Sequence, residues 1–230
     1  MANTQFWNDR YRADEYIYGT APNAFLARAA LEHVPDPPSE LIDLGAGEGR
    51  TAVFFATRGY DVLALDASSV GLRKANQLAA SRGVSIETEE HDLTRWTPDV
   101  QVDAVLCSFL HFSPDDRPRL YRMMQQAVRP GGVVIAEWFR PEQITGGYDS
   151  GGPPDLDLMI TSEELRAHFP DHGIQYCSDA TPTLDEEAQG VVGRRAPDQV
   201  RPGIQPAELE QRAASIGGGR ERPDRGPGPR

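Results

Sequence analysis

Short apolar runs alternate with longer stretches of helical periodicity along the middle of this chain. The first run, Leu41-Ile42-Asp43-Leu44, is broken by a single acid; a glycine-rich turn follows, then the helical pattern Thr51, Ala52, Val53, Phe54, Phe55, Ala56. Val62 to Leu65, ending in Asp66, is a second strand, and Ser69 to Arg82 a helix with Gly83 placed as its C-terminal stop. Ser85 to Glu89 reads as the third strand and Val102 to Ser108 as the fourth. Asp116 to Val128 is helical, and Pro130-Gly131-Gly132 turns into a fifth strand, Val133 to Trp138. Strand–helix units joined by short links imply right-handed crossovers and a parallel sheet covered on both faces. The predicted fold class is therefore α/β, a Rossmann-like, doubly wound, mostly parallel sheet.

The flanks are less regular. Residues 1–20 carry Phe6, Trp7, Tyr11, Tyr16 and Tyr18, and a helix opens at Pro22 with Phe25, Leu26, Ala29, Ala30 and Val34 before Pro35, Pro37 and Pro38 stop it. After Arg140 comes a glycine- and proline-rich loop, Gly146 to Pro154. Thr161-Ser162-Glu163-Glu164 then begins a helix ahead of Leu165 and Phe169. Ile174 to Cys177 reads as a sixth strand, and Gly190-Val191-Val192-Gly193 is the sole, short candidate for a closing strand, so the C-terminal edge of the sheet is abbreviated. Beyond Gly193 the chain is rich in Arg, Pro and Gly and reads as a disordered tail. The organisation is an aromatic lid and helix over 1–35, a ligand-binding domain over 36–193 and a tail over 194–230.

Composition narrows the classes of function. A chain of 230 residues suits one sizeable domain. Its formal net charge of -12 disfavours phosphate-rich partners, so no nucleic-acid partner is expected. Cys107 and Cys177 lie far apart and imply no disulfide framework. The first residues lack a basic run ahead of an apolar core, and no stretch approaches the roughly 20 apolar residues of a membrane span. A cytoplasmic protein without membrane partner, monomeric or homodimeric and acting on a small molecule, is the expectation.

The turn Gly45-Ala46-Gly47-Glu48-Gly49 is spaced G-x-G-x-G, whereas dinucleotide-binding loops read G-x-G-x-x-G. Glycines there let the backbone approach a ligand, and the helix that follows offers unpaired N–H groups. With Asp43 two residues ahead of the first glycine, the segment resembles the first motif of the class I S-adenosylmethionine-dependent methyltransferases. The resemblance extends over roughly Phe6 to Cys177 and implies that fold and that cofactor.

It also implies roles for particular residues. Asp43, Gly45, Ala46, Gly47 and Gly49 would cradle the cofactor, and Asp66-Ala67, ending the second strand, would hold its ribose; an ordinary helix-capping Asp is the alternative. Asp92 and Leu93, in His91-Asp92-Leu93, resemble the adenine-contacting segment, the alternative being a turn Asp. Val102 to Ser108 with Phe109-Leu110-His111-Phe112 resembles the family's fourth motif. That places Cys107 beside the methionine part of the cofactor and His111 as a candidate general base, unless it only bonds backbone. The aromatic N-terminus is similar to that of the tellurite-resistance and thiopurine types of small-molecule methyltransferase, where it forms a lid. Aromatic faces of Trp7, Tyr11 and Tyr18 would attract a sulfonium cation, about 0.5–2 kcal/mol each when desolvated. Trp138 and Arg140 would line the acceptor pocket, with Arg140 holding an anionic group.

The activity so implied is methyl transfer to a small-molecule acceptor. The lack of an obvious strong base favours a soft or already ionised one such as a thiol, tellurium or selenium species. The alternatives are O- or N-methylation of a specialised metabolite, a non-catalytic S-adenosylmethionine-binding protein, and a dinucleotide-dependent oxidoreductase, which the glycine spacing opposes. No metal is expected.

Overall fold

A computed structural model describes residues 4–148, 152–169, 174–177 and 179. All lie in the first of two compact units, Met1–Gln199; the second, Val200–Arg230, lies outside the described residues. The predicted tail and the closing strand at Gly190 to Gly193 also lie outside them.

The sheet has five strands: β1 (Glu40–Leu44), β2 (Asp61–Asp66), β3 (Glu87–Glu90), β4 (Val102–Ser108) and β5 (Val128–Glu137). Their order is β3-β2-β1-β4-β5, and every pairing is parallel. The helices are α1 (Thr4–Arg10), α2 (Ala24–His33), α3 (Arg50–Ala56), α4 (Ser69–Ser81), α5 (Arg117–Ala127), α6 (Glu142–Thr145) and α7 (Ser162–His168). Chain order and strand order reverse between β1 and β4, where open α/β sheets carry their ligand crevice.

Successive strand residues point to opposite faces, and here both faces are buried. Leu41, Val62, Ala64, Ala104, Leu106 and Ile135 pack with Leu26 and Ala30 of α2 and Ala52 and Phe55 of α3. Their neighbours Ile42, Leu44, Leu65, Val105 and Cys107 pack with Leu120, Tyr121 and Met124 of α5. Side-chain caps fix three helix starts: Asn23 accepts from Leu26 N, the Ser68 hydroxyl from Gly71 N, and the Thr161 hydroxyl from Glu164 N.

Three expectations need correcting. The turn expected at Pro130-Gly131-Gly132 is a bulge within β5, because Val128 already pairs with Val102 and Val133 with Ala104. Edge strand β3 begins at Glu87 rather than Ser85. Residues 174–177 form no strand, so the described sheet ends at β5. There the apolar run is too short to be told from irregular chain by pattern alone.

Gly49 shows how tightly the loop after β1 is held. It has φ +82°, and a Cβ on it would stand 2.8 Å from the Ala75 Cα in α4 and closer still to its Cβ. Gly49→Ala is expected to lower the unfolding free energy by about 2–4 kcal/mol in urea titration, combining left-handed strain with the clash. Adding Ala75→Gly should recover only part of the loss. A change below about 0.5 kcal/mol would show that loop and helix part freely.

Candidate functional site

The loop from Gly45 to Gly49 leaves the C-terminal end of β1 and enters α3. Its glycines all have positive φ, +71°, +54° and +82° in order. Gly45 N and Ala46 N both donate to Leu65 O, at 2.8 and 3.0 Å, so the loop is anchored on β2. The clearance made by the missing side chains is used within the molecule. A Cβ on Gly47 would lie 2.7 Å from the Tyr11 hydroxyl, and one on Gly45 3.3 Å from Leu110 Cδ1. Strap, loop and the turn after β4 therefore meet at these glycines.

Asp66, at the end of β2, is 8% exposed. Its Oδ2 accepts from Gly47 N and its Oδ1 from Ser68 N, both at 2.8 Å. Burial raises its pKa, and those backbone bonds together with one from Ala67 oppose the rise. With three backbone N–H groups on it, the carboxylate keeps about one further acceptor site. Asp66 O also accepts from His91 N, which brings the Asp92 turn beside it. Asp92 itself accepts from Thr94 N and the Thr94 hydroxyl at 3.0 and 2.7 Å, the bonding of a turn Asp. Leu93 is buried in the core.

Asp43 is almost fully buried on the α3 face of β1. Burial pushes its pKa up to about 7, against the pull of Arg50 and of a hydrogen bond from Ala52 N. The Arg50 guanidinium also faces Glu137 at the end of β5 and donates to Tyr18 O at 3.3 Å. Burial raises the Glu137 pKa, although Asn23 Nδ2 donates to its Oε2 at 2.7 Å. Sequence reasoning missed Arg50, Glu137 and Asn23. The pleat was the available signal: Asp43, Asp66 and Glu137 all share the strand phase of the α2/α3 face.

The aromatic N-terminus forms α1 and then a strap of turns and bends over the loop. Trp7 stacks on Tyr11 with ring centres 5.5 Å apart. Tyr11, 6% exposed, fills the space above Gly47 and Gly71. The Tyr18 hydroxyl accepts from Arg10 Nε at 3.1 Å. Two further residues absent from the expected set, Glu48 and Lys74, form a buried ion pair of 2.5 Å beneath the strap. Lys74 lies on the α4 face otherwise made of Gly71, Leu72, Ala75 and Leu78, where a cation is out of pattern.

On the β4 side the pleat sends residues elsewhere than expected. Cys107 is wholly inside the α5-face core, and its thiol pKa is raised by burial, so it can offer a ligand only backbone. Trp138, 8% exposed, shares that core, and its Nε1 donates to Leu110 O at 2.8 Å. Arg140 is paired with Glu142 and Asp179 at 2.9 and 3.2 Å, so its charge is already matched. His111 Nδ1 meets Leu158 O at 3.0 Å, and its ring stacks on Phe139 at 5.6 Å. Burial pushes its pKa down to about 4 and its Nε2 has no hydrogen-bond partner. Phe109, just after β4, has φ +56° and packs on Phe139 at 4.8 Å, a strained backbone the sequence did not announce.

Residues 41–132 match the protein family described as a methyltransferase domain. Among similar curated proteins are Hemagglutinin 1 of Eikenella corrodens, 28% identical over 139 residues (58% of this chain, 44% of that one), and trans-aconitate 2-methyltransferase of Azoarcus sp. (strain BH72), 28% identical over 135 residues (57% and 50%). Among solved structures, TehB from Haemophilus influenzae superposes with a TM-score of 0.61 at 17% identity, over 84% of this chain and 64% of that one. The chain spans about half the length of the curated relatives it matches, 44% and 50%. The fold is the class I methyltransferase fold, and the match to the methyltransferase-domain family covers β1 to the middle of β5. Among the described residues no helix is long and apolar enough to cross a membrane.

Asp43 makes a pH prediction. Unfolded, it loses its proton near the ordinary value of 3.8; folded, it keeps it to about 7. Between those values the native state binds more protons, so stability contributed at Asp43 falls as pH rises. Relative to Asp43→Asn, the wild type should lose about 4 kcal/mol at full titration between pH 4 and 7. Parallel stability curves for the two proteins would refute this.

Proposed function

We propose that this chain is an S-adenosylmethionine-dependent methyltransferase acting on a small-molecule acceptor. The observation that carries the reading is Asp66: a buried carboxylate at the end of β2, oriented by backbone N–H groups of Gly47, Ser68 and Ala67, with acceptor capacity left for a ribose hydroxyl. The surroundings suit a ligand of net positive charge. Asp43 and Glu137 share the single cation Arg50, and among the described residues no cation acts on Asp66, a balance that a sulfonium and an ammonium would suit. Gly45, Ala46, Gly47 and Gly49 would support the methionine part, Asp66 and Ala67 the ribose, and Asp92 with Leu93 the adenine. Trp7, Tyr11 and Tyr18 would exclude water above it. Bound there, the cofactor supplies an electrophilic methyl group on sulfur and a thioether leaving group.

The acceptor side is built around His111. Because its Nδ1–H donates to Leu158 O, Nε2 carries a lone pair free to take a proton from the acceptor. A base with its pKa pushed down to about 4 is weak. It suits an acceptor that ionises readily, such as a thiol, or a tellurium or selenium species, and suits an alcohol poorly. Alignment then supplies most of the acceleration, about 7–11 kcal/mol in well-held cases. Trp138 would act by holding Leu110 in place rather than by touching acceptor. A second reading, methylation of a specialised metabolite at oxygen or nitrogen, draws on the unpartnered Nε2 as its base and fits only an acceptor acidic enough for so weak a one.

Calorimetric titration with S-adenosylhomocysteine tests the cofactor reading. Asp66→Ala should weaken binding by about 1.5–3 kcal/mol, and unchanged affinity would move the ribose elsewhere. With a panel of thiols, chalcogen oxyanions and metabolites, His111→Gln should lower turnover and leave cofactor affinity alone. Binding without product from any acceptor would instead favour a non-catalytic protein.

A further inference from the structure

The strap that crosses the glycine loop has little apolar grip. None of the residues of α1 is buried, and Tyr11 is the one buried apolar side chain between Thr4 and Pro22. By area alone this segment belongs to the low-stability end of the molecule. Its hold is polar, and two buried side chains supply the centre of it. Lys74 Nζ donates to Ala13 O and Glu15 O, each at 2.7 Å, and meets Glu48 Oε1 at 2.5 Å. Two of the ammonium's three hydrogens go to those carbonyls, and Glu48 Oε1 meets it as an ion pair, with no hydrogen bond of its own. Glu48 Oε2 accepts from Ile17 N at 2.8 Å. The Tyr16 hydroxyl closes the ring by donating to Lys74 O at 3.1 Å, and its face lies 4.9 Å from the ammonium.

Two of the three partners of the Lys74 ammonium are strap carbonyls, and the third is a side chain of the glycine loop. A lysine serving only the core would need neither. Glu48 stands between Gly47 and Gly49, so the same pair ties strap to loop across the place the proposed cofactor would enter. We infer that Glu48 and Lys74 are a latch that holds the N-terminal strap shut over the glycine loop and sets the rate at which cofactor exchanges. They are positioning residues: they act through the strap and do not touch the reacting atoms. The inference rests on the cofactor reading above for its second half; the latch itself does not need it.

Lys74→Met leaves a buried carboxylate without its cation, so the double variant Glu48→Leu/Lys74→Met, which removes both charges, accompanies it. In ligand-free protein, amide hydrogen exchange across residues 13–18, Ile17 above all, should speed up about tenfold or more in both variants, while amides of β1 and β4 keep wild-type protection. Stopped-flow dissociation of S-adenosylhomocysteine should quicken about tenfold in the double variant. Wild-type exchange at Ile17 in the double variant overturns the latch. Fast exchange there with wild-type dissociation overturns its control of cofactor exchange. If wild-type protein binds no S-adenosylhomocysteine while the variants still lose protection at Ile17, the latch stands and the cofactor reading fails.

Discussion

Three left-handed glycines at alternate positions, Gly45, Gly47 and Gly49, dictate how near the other elements can come to the end of β1. Each glycine admits a different neighbour: Leu110 from the turn after β4, Tyr11 from the strap, and the backbone of α4 at Ala75. A side chain at any of them would push out one wall of the crevice and not merely narrow it. Glycine is often explained here by the approach of a ligand. In this molecule the approach of the protein to itself is as strict a requirement, because the elements that would close round a cofactor are spaced by that loop.

Once the loop has drawn the elements together, charges are forced out of water. Asp43 satisfies the Ala52 N–H at the start of α3, Asp66 satisfies Gly47 and Ser68, and Glu48 satisfies Ile17. These carboxylates hold together backbone that has left regular structure, which is why they are tolerated at such depth. The cations present, Arg50 and Lys74, are also spoken for by strap carbonyls at Tyr18, Ala13 and Glu15. Burial raises the pKa of Asp43, Asp66 and Glu137, which marks their ionised forms as disfavoured at this depth.

Most of the sheet was legible because buried parallel strands are apolar runs of the right length, and their order follows from right-handed crossovers. The glycine loop, Asp66 and the helix start at Thr161 carried local signals strong enough to place them. The side chains of Cys107 and Trp138 both lie in the α5-face core, which their position at a strand end did not announce. Proximity to a strand's C-terminal end does not say which face a residue takes, and a period of two sends Cys107 and Trp138 to α5 while Glu137 turns toward Arg50. Lys74 and Glu48 were missed because their meaning lies in a contact between residues far apart in sequence. The bulge in β5 was read as a turn because Pro130-Gly131-Gly132 has the composition of both.

The two flanks of the crevice are fastened by separate polar networks, and this separation has a structural consequence. On the loop side, strap, α3 and α4 are joined through Glu48, Lys74 and Arg50. On the β4 side, buried Arg117 pairs with Glu164 at 2.8 Å and donates to Asp157 O, Tyr121 donates to Glu164, and His111 holds Leu158. These bonds fix the segment from Asp155 to α7 over the ends of β4 and β5. The bridges between the networks are few: Asn23 to Glu137, and Leu110, which packs on Gly45 and accepts from Trp138. A sequence change in the segment from Pro141 to Ile160 therefore alters the wall beside His111 without loosening the loop that Asp66 and the glycines define. On the proposed function, selectivity for the acceptor and affinity for the cofactor would be physically separable.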